Sequence, residues 1–320
     1  MSTLVQLQTS PEPAALDLPP QVERDPRLPA DYKLHRRFDR IGRLVGDVAM
    51  SRLERAHVIV FGVGGVGSFT AEALARSGVG TLTLVDFDLV CATNANRQLH
   101  ALQGTTGEPK VVVMAERLRR INPKITVITR QEFYNATTSE RLLSAPDAPP
   151  SPPASPGREP GDAPEARGAP IDFVVDAIDN MTAKCHLIQT CRDRGIPLVV
   201  VMGAAGRIDP TQVKVADLNR TEMDPFARMV RKVLRDKHGF PSRALTGIPA
   251  VFSDEPKIGP QDLLYDHGEG FRCVCPQGQN DFHSCEHRNQ IEGSAGFVTG
   301  AFGLAAASVA VRALIGQKVL

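Results

Sequence analysis

Hydrophobic and polar positions along the chain follow two patterns, short apolar runs and longer stretches in which apolar residues recur every three or four positions. The runs are typical of buried strands, and the longer stretches are typical of amphipathic helices. Strands are predicted at 57–61, 81–85, 125–129, 172–176, 197–201 and 212–216. Helices are predicted at 66–77, 109–121, 180–194 and 224–238. Strands that alternate with helices predict an α/β fold with a Rossmann-like, doubly wound sheet.

Two stretches carry neither pattern. Residues 1–30 are rich in proline and charge, which predicts a disordered tail. Residues 144–170 hold nine of the 25 prolines and cannot form a helix or a central strand. Long surface insertions cost little free energy, so this second stretch is interpreted as a loop inserted into one domain over 31–320. An interdomain linker is the alternative, but the second half would then lack a phosphate loop.

The apolar run at 294–316 is long enough to suggest a membrane span. Small residues dominate it, however, and Arg312 closes its apolar part. Helices of this composition pack closely against other helices. We therefore expect a buried or subunit-interface helix, and no membrane partner.

Composition narrows the class of protein. The formal net charge of +1 over 320 residues gives no global attraction to nucleic acid or to an anionic membrane. The polar, proline-rich start of the chain does not resemble a signal peptide. Six cysteines in a chain of this size do not suggest a disulfide framework. These features predict a protein of the reducing cytoplasm.

The stretch "VIVFGVGGVGS", residues 58–68, joins a buried strand to a helix through a glycine-rich turn. Bare backbone amides and a helix N-terminus attract anions, so the turn predicts a phosphate cradle. Its glycines are Gly62, Gly64, Gly65 and Gly67. Both NAD and ATP can bind such a turn, so the turn alone does not decide between redox and adenylation chemistry.

The segment after the second strand favours ATP. Asp86 ends that strand at the distance from the glycines where an acidic residue meets a ribose. A nicotinamide site has no need for Arg97 and Lys110 near the phosphates. Attack on an α-phosphate, by contrast, builds negative charge that fixed cations and Mg²⁺ stabilise. The polar residues of this segment are Asp86, Asp88, Asn94, Arg97, Gln98 and Lys110.

The stretch "VVDAIDN" ends another strand with Asp176 and Asp179. Ligands of open α/β sheets bind at the carboxyl ends of the strands. Asp179 is therefore a candidate ligand for Mg²⁺.

The motifs "GVGGVGS", "VDFD", "NANRQ", "GEPK" and "DAIDN", in this order, resemble the ubiquitin-activating-enzyme-like superfamily. That superfamily adenylates carboxylates with ATP on a Rossmann-like sheet, usually as homodimers. Within it, the stretches "RFDRIGRLVG", "RQLHAL", "INPKI", "GAAGRIDPTQVKVADL" and "VFSDEP" resemble the tRNA threonylcarbamoyladenosine dehydratases. The resemblance covers about residues 35 to 255 and implies one ATP-binding adenylation domain.

The resemblance also implies roles for individual residues. The four glycines would surround the phosphates, Asp86 would bind the ribose, and Asp179 would hold Mg²⁺. Asn94, Arg97, Gln98 and Lys110 would hold the triphosphate, with Arg97, Lys110 and Asp179 in the catalytic role. Arg40 matches an arginine that reaches the phosphates of the neighbouring subunit. Asp88 belongs to the nucleotide segment or caps the following turn, and Gly62 and Gly67 have the alternative of permitting close helix–sheet packing.

A cysteine-rich stretch, "CVCPQGQNDFHSCEHR", brings Cys273, Cys275, Cys285 and His287 together in the sequence. Clusters of thiolates and imidazoles bind zinc, so a structural Zn²⁺ site is one interpretation. Reduced thiols without a metal are the other, because the paired C-x-x-C spacing is missing. Three further cysteines, Cys91, Cys185 and Cys191, lie in predicted elements and are expected to be packing residues.

The stretch "FARMVRKVLRDKHG" places four cations at helical spacing, Arg228, Arg231, Lys232 and Arg235. Such a helix can contact the phosphates of a tRNA. A solvated surface is the alternative.

The resemblance implies an enzyme that adenylates the threonyl carboxylate of threonylcarbamoyladenosine in tRNA, closes a ring and releases AMP. Its expected partners are the modified tRNA, a second copy of the chain and a sulfur-relay protein. One rival is an enzyme that activates the C-terminus of a ubiquitin-like sulfur carrier, which would share the ATP site. Two others are an NAD-dependent oxidoreductase and a nucleotide-sensing module that releases no AMP.

Overall fold

One seven-stranded sheet forms the centre of the molecule. The computed structural model describes residues 25–144, 170–261, 263 and 292–320. Within them the strands are β1 (His57–Phe61), β2 (Thr81–Val85), β3 (Thr126–Arg130), β4 (Phe173–Asp176), β5 (Leu198–Val201), β6 (Val213–Asp217) and β7 (Pro249–Ser253).

Eight α-helices accompany the sheet in this part of the chain. They are α1 (Asp39–Val45), α2 (Asp47–Arg55), α3 (Gly67–Arg76), α4 (Lys110–Ile121), α5 (Ala136–Leu142), α6 (Met181–Arg194), α7 (Pro225–His238) and α8 (Gly296–Leu314). Asn180 caps α6 by accepting a hydrogen bond from Ala183 N (3.0 Å), and Gly195 ends that helix in the left-handed conformation. These two residues bound the helix that the sequence predicts at 180–194.

The strand order is β3-β2-β1-β4-β5-β7-β6. Neighbouring strands are parallel except β6, which pairs antiparallel with β7 at the edge. The order reverses between β1 and β4, because the chain moves outward from β1 to β3 and then returns to the other side of β1. Ligands of such sheets bind at the carboxyl ends of the strands beside this reversal.

Helices cover both faces of the sheet and form two cores. Val58 and Val60 of β1 face a core built with α2, α3, α4 and α8. Ile59 and Phe61 face a second core built with α5, α6 and α7. Every residue of β1 is buried, as expected for a central strand of a parallel sheet covered on both faces.

The predicted α/β class is confirmed, and the six predicted strands agree with the structure to within one residue. The sequence reading missed β7, which lies centrally between β5 and β6. It also missed α1, α2 and α5 as helices.

Helix α8 runs against α3 and the sheet. Thr70 Oγ1 donates a hydrogen bond to the carbonyl oxygen of Gly303 (3.0 Å). A Cβ on Gly303 would lie 2.5 Å from the carbonyl oxygen of Val66, so the two backbones meet without an intervening side chain. Helix α8 is long and apolar enough to span a membrane, but half of its most apolar stretch is buried inside the molecule. The packing agrees with the predicted buried helix.

Several predictions lie outside the described residues. They concern residues 1–24 of the N-terminal tail, nearly all of the proline-rich stretch at 144–170, and the cluster of Cys273, Cys275, Cys285 and His287. In the chain, the proline-rich stretch lies between α5, which follows β3, and β4, and both strands belong to the seven-stranded sheet. The zinc site, the tail and the inserted loop stay predictions.

Candidate nucleotide-binding site

The carboxyl edge of the sheet brings the predicted site segments together. The parallel register pairs Phe61 of β1 with Val85 of β2 on one side and with Asp176 of β4 on the other. The three segments that follow these residues are the glycine-rich turn, the segment that starts with Asp86 and the turn that carries Asp179. They therefore begin side by side at the reversal of strand order.

The glycine loop, residues 62–67, is shaped by close backbone contacts. Gly62 has φ +83°, and a Cβ there would lie 2.7 Å from the first carbonyl oxygen after β4. A Cβ on Gly67 would lie 1.8 Å from the carbonyl oxygen of Gly62. Packing alone therefore requires these two glycines. A Cβ on Gly64 would have Nε2 of Gln98, at 3.7 Å, as its nearest neighbour, so the backbone at Gly64 faces open space. A phosphate can approach there, beside the N-terminus of α3.

Asp86 organises the turn around it. Its Oδ2 accepts a hydrogen bond from Val63 N (2.7 Å), and its Oδ1 accepts one from Asp88 N (2.9 Å). Burial raises the pKa of Asp86, and the nearby Lys110 opposes that rise. The carboxylate thus ties the glycine loop to the segment after β2, at the position where the sequence predicts a ribose contact.

Lys110 lies at the first position of α4 with its ammonium inside the site. Its Nζ lies 2.7 Å from Oδ2 of Asp88, and its side chain is only 7% exposed. Burial by itself lowers the pKa of Lys110, but the carboxylates of Asp86, Asp88 and Asp179 outweigh it and the pKa is raised. The ammonium is therefore charged at neutral pH, as phosphate binding requires. Asp88 pairs with Lys110 through its side chain instead of capping a turn.

The other polar residues of this segment make different hydrogen bonds. Asn94 is buried, and its Oδ1 accepts a hydrogen bond from Cys91 N (3.0 Å), so it stabilises its own turn. Arg97 Nη1 donates to a main-chain and a side-chain oxygen of that turn (2.9 and 3.0 Å). Gln98 is buried, and its Oε1 has no hydrogen-bond partner among the described residues. The atom of this amide that lies beside Gly64 is Nε2, a donor, which suits an oxygen of a phosphate.

Asp179 lies in the exposed turn between β4 and α6. It makes no hydrogen bond or ion pair within the described residues, but its charge contributes to the raised pKa of Lys110. Mg²⁺ is often held by one or two carboxylates together with substrate phosphates. The residues present therefore fit Mg²⁺ on a bound nucleotide. No cluster of three or more His, Cys, Asp or Glu in the described part of the chain forms a separate metal site.

Arg40 is the predicted site residue that the chain does not bring to its own glycine loop. It lies on α1, and its side chain is 94% exposed. The neighbouring Phe38 packs against Gly78, just beyond the C-terminal end of α3. The glycine loop lies at the opposite end of that helix. Any contact of Arg40 with phosphates requires another subunit, as the resemblance implies.

The cysteines of the described residues are packing residues, as predicted. Cys91, Cys185 and Cys191 are buried and free. Burial raises the pKa of Cys185 to about 11 and that of Cys191 to about 12. Neither thiol ionises at neutral pH, and thiols are nucleophiles only as thiolates.

The basic helix α7 presents fewer free cations than its sequence suggests. Arg231 donates to the carbonyl oxygen of Thr221 (2.9 Å) and also to its hydroxyl, so it anchors the loop before the helix. Arg235 pairs with Asp236 (3.0 Å). Arg228 and Lys232, one helical turn apart, are exposed, and with the exposed Lys237 near the end of the helix they form the part of α7 that is open to a polyanion.

Two buried ion pairs at the same edge were missed from the sequence. Lys184 Nζ lies 2.8 Å from Asp176 Oδ2, with both side chains fully buried. Arg207 Nη2 lies 3.5 Å from Asp224 Oδ2, with each side chain 1% exposed. Lys184 lies eight residues after Asp176, within the helix that follows that strand. This spacing is the signal in the sequence that could indicate the pair.

The geometry brings an open glycine loop, the buried carboxylate of Asp86, the buried ammonium of Lys110 and a carboxylate unpaired among the described residues, Asp179, to one sheet edge. Such a site binds a nucleoside triphosphate and stabilises the charge of attack on its α-phosphate. It therefore defines the class of ATP-dependent adenylating proteins. Residues 38–320 match the ThiF family, and the chain belongs to that family.

Individual relatives narrow the comparison. The chain is 42% identical to the tRNA threonylcarbamoyladenosine dehydratase of Haemophilus influenzae over 70% of this chain and 78% of that protein. It is 35% identical to the crystal structure of the Escherichia coli tRNA N6-threonylcarbamoyladenosine dehydratase in complex with ATP, with a TM-score of 0.68 over 87% of this chain and 93% of that one. The same dehydratase in complex with AMP gives 35% identity and a TM-score of 0.67, over 87% and 94%.

Proposed function

We propose that this protein is an ATP-dependent tRNA threonylcarbamoyladenosine dehydratase. The observation that carries the proposal is the buried Lys110 ammonium, held 2.7 Å from Asp88 beside an open glycine loop. A fixed cation at that place favours phosphate chemistry over nicotinamide chemistry. The relatives that share most of the chain are dehydratases of this substrate, and solved structures of one contain ATP and AMP.

The proposed reaction has two steps whose atoms balance. In the first, an oxygen of the threonyl carboxylate attacks the α-phosphate of ATP, and pyrophosphate leaves. In the second, a neighbouring atom of the same modification attacks the activated carbonyl carbon and loses its proton. AMP leaves with the carboxylate oxygen, and a ring closes. The net change in the tRNA is the loss of one water, driven by ATP cleavage. Ring closure is intramolecular, so the main task of the protein is activation and positioning.

Each residue of the site has a proposed role. Asp86 orients the ribose, the glycine loop binds phosphate oxygens, and Lys110 balances charge on the reacting phosphates. Asn94, Arg97 and Gln98 line the triphosphate. Asp179 holds Mg²⁺, which when bound neutralises the pyrophosphate leaving group.

A homodimer is part of the proposal. Phe297 and Leu304 lie seven residues apart on α8 and are 58% and 55% exposed, so an apolar strip of this helix faces outward. The family resemblance implies that the second copy contributes its Arg40 to the phosphates. The cytoplasm is the proposed compartment, because Cys91, Cys185 and Cys191 are free thiols and the substrate is a tRNA.

The test is incubation with ATP, Mg²⁺ and tRNA that carries threonylcarbamoyladenosine, followed by mass analysis of the nucleosides and measurement of AMP. We expect the modified nucleoside to lose one water while AMP appears in equal amount. Unmodified tRNA is the matched control and should give neither. AMP formation with a ubiquitin-like carrier protein, and none with the tRNA, would support the sulfur-carrier rival instead.

A further inference from the structure

Two charged side chains that take no part in the proposed chemistry lie wholly inside the molecule beside the site. Lys184 and Asp176 are both 0% exposed, and Lys184 Nζ lies 2.8 Å from Asp176 Oδ2. The same Nζ donates to the main-chain oxygen of Asp176 (3.3 Å). A buried ion pair is weak support for stability, since apolar side chains of similar volume often serve as well. Its place in the fold gives another reason for it.

Asp176 is the last residue of β4, opposite the last residue of β1. The next residue, Ala177, donates its N–H to the Phe61 carbonyl oxygen (2.8 Å). Its own carbonyl oxygen lies 2.7 Å from where a Gly62 Cβ would be. The turn that begins at Asp176 is therefore packed directly against the start of the glycine loop.

The same turn leads to the proposed metal ligand. Asp176 Oδ1 accepts a hydrogen bond from Ile178 N (3.1 Å), and the residue after Ile178 is Asp179. On the far side, Asn180 caps α6. The main chain of Asp179 is thus held between a side chain that Lys184 fixes and a helix cap.

Among the described residues, Lys184 Nζ has no hydrogen-bond or ion-pair partner other than Asp176. It lies 6.0 Å from the centre of the Phe226 ring, and the side chain is closed to solvent. A buried charge that loses its partner is costly, so the geometry of the turn depends on this pair.

We propose that Lys184 is a positioning residue: its buried ion pair with Asp176 fixes the turn that carries Asp179, and so sets where that carboxylate meets Mg²⁺ on the bound nucleotide. The inference rests on the proposed function, because Asp179 is a metal ligand only there. Residues behind a metal ligand commonly affect metal affinity by about 10–100-fold.

The test compares three variants of the full chain for melting temperature and for ATP affinity, the latter by calorimetry with Mg²⁺ and with EDTA. Lys184→Met leaves the Asp176 carboxylate buried without its partner, so we expect lower stability and weaker Mg²⁺-dependent affinity. Asp176→Asn with Lys184→Met removes the uncompensated charge, so stability should recover. Leu187→Ala opens a cavity in the same helix away from the turn.

The double variant decides between positioning and plain stability. We expect its melting temperature to return close to that of the wild type, while its Mg²⁺-dependent ATP affinity stays about tenfold weaker. ATP affinity in EDTA should change little. Leu187→Ala should lower the melting temperature and keep the affinity. An affinity that follows the melting temperature through all variants, or a double variant that binds like the wild type, would overturn the inference.

Measurements on the wild type distinguish failure of the metal role of Asp179 from failure of the positioning role of Lys184. If Mg²⁺ does not strengthen ATP binding in the wild type, the metal role of Asp179 fails, and the role of Lys184 fails with it. If Mg²⁺ strengthens binding in the wild type and equally in the double variant, only Lys184 loses its role. Should Lys184→Met not fold, the double variant and Leu187→Ala decide alone.

Discussion

The two halves of the sheet use charge differently. In the first half, built on β1–β3, the cation Lys110 lies beside Asp88 at an edge that is open at Gly64. In the second half, built on β5–β7, Arg207 is sealed against Asp224, whose Oδ1 also caps α7. One half keeps its charges where an incoming phosphate can meet them, and the other uses its charges to fix the chain.

The difference separates activation from anchoring. The first half has an open glycine loop, the buried carboxylate of Asp86 and the buried ammonium of Lys110, and we propose that these parts bind ATP and activate the substrate carboxylate. In the second half, Arg228, Lys232 and Lys237 of α7 are exposed and have no ion pair among the described residues. We infer that ATP chemistry belongs to the first half and that contact with tRNA phosphates belongs to the second.

The largest effect is expected from Lys110→Met. Loss of a fixed cation that stabilises charge in the transition state costs about a hundredfold to a thousandfold in kcat. Release of AMP from ATP in the presence of modified tRNA measures it. The matched control is Lys214→Met in the second half, where Lys214 pairs with Asp254 on the surface and should matter little. Similar losses in both variants would erase the division between the halves.

Asp179→Ala should lower AMP release by about a hundredfold, because charge balance by a metal contributes several kcal/mol to such reactions. The fold should survive, since Asp179 is exposed. Circular dichroism and AMP release are measured on the same sample, with Asp193→Ala on α6 as the control. Near-normal turnover of a folded Asp179 variant would remove this residue from the site.

Two glycines of the loop should fail in different ways. A methyl group on Gly67 meets the Gly62 carbonyl oxygen at 1.8 Å, so Gly67→Ala should destabilise the fold by about 1–3 kcal/mol or more. Gly64→Ala has room in the free protein but fills the phosphate cradle, so it should weaken ATP binding at nearly unchanged stability. Thermal melts with and without ATP distinguish the two. The reverse assignment would mean that Gly64 is needed for packing.

Because the second half is inferred to contact the phosphates of the tRNA, we expect its exposed cations to have a moderate effect on tRNA binding. Reversing Arg228 and Lys232 to Glu should weaken tRNA binding and flatten its salt dependence, since each lost phosphate contact removes about 0.7–0.9 from the slope. ATP affinity should not change. Arg231→Gln is the contrasting variant, because Arg231 holds Thr221 and should affect melting more than tRNA affinity. Filter binding across a salt series measures this. Unchanged affinity and slope in the double reversal would place the RNA elsewhere.

A pH dependence of stability is expected from a buried histidine of the first half. Burial lowers the pKa of His100 from 6.5 to about 3, and its two ring nitrogens have no hydrogen-bond partner among the described residues. Below pH 6.5 the unfolded chain therefore binds a proton that the folded chain does not, so stability falls as pH decreases towards 3. The slope is at most about 1.4 kcal/mol per pH unit. In denaturant melts between these limits, the stability of the wild type should fall more steeply towards low pH than that of His100→Leu, and parallel curves would contradict the assignment.

Local patterns predicted the first half well. The glycine loop, Asp86 and Lys110 lie in motifs of a few residues. The first two follow directly on short buried strands, and the third lies farther along the segment after β2. In a parallel sheet, motifs after neighbouring strands meet at one edge without further information. The site could therefore be assembled from short stretches of sequence.

The second half depends on contacts between distant residues. The stretch that forms β7 begins at Pro249 and is followed by Pro256, which is untypical of a central strand. It becomes one because β5 and β6 pair with it on either side. The partner of Arg231 likewise lies ten residues away across a turn, and helical spacing does not indicate it. Sequence patterns give the period of an element, but they do not give its tertiary partners.

The central claim is that the site adenylates the threonyl carboxylate, and its most direct test follows one oxygen atom of that carboxylate through the reaction. Adenylation transfers an oxygen of the threonyl carboxylate to the phosphorus of AMP, and ring closure leaves it there. A tRNA whose threonylcarbamoyladenosine carries heavy-isotope oxygen in the carboxylate should therefore yield AMP that contains one labelled oxygen, detected by mass spectrometry. Unlabelled AMP, formed while the nucleoside still loses water, would contradict activation of the carboxylate by this site.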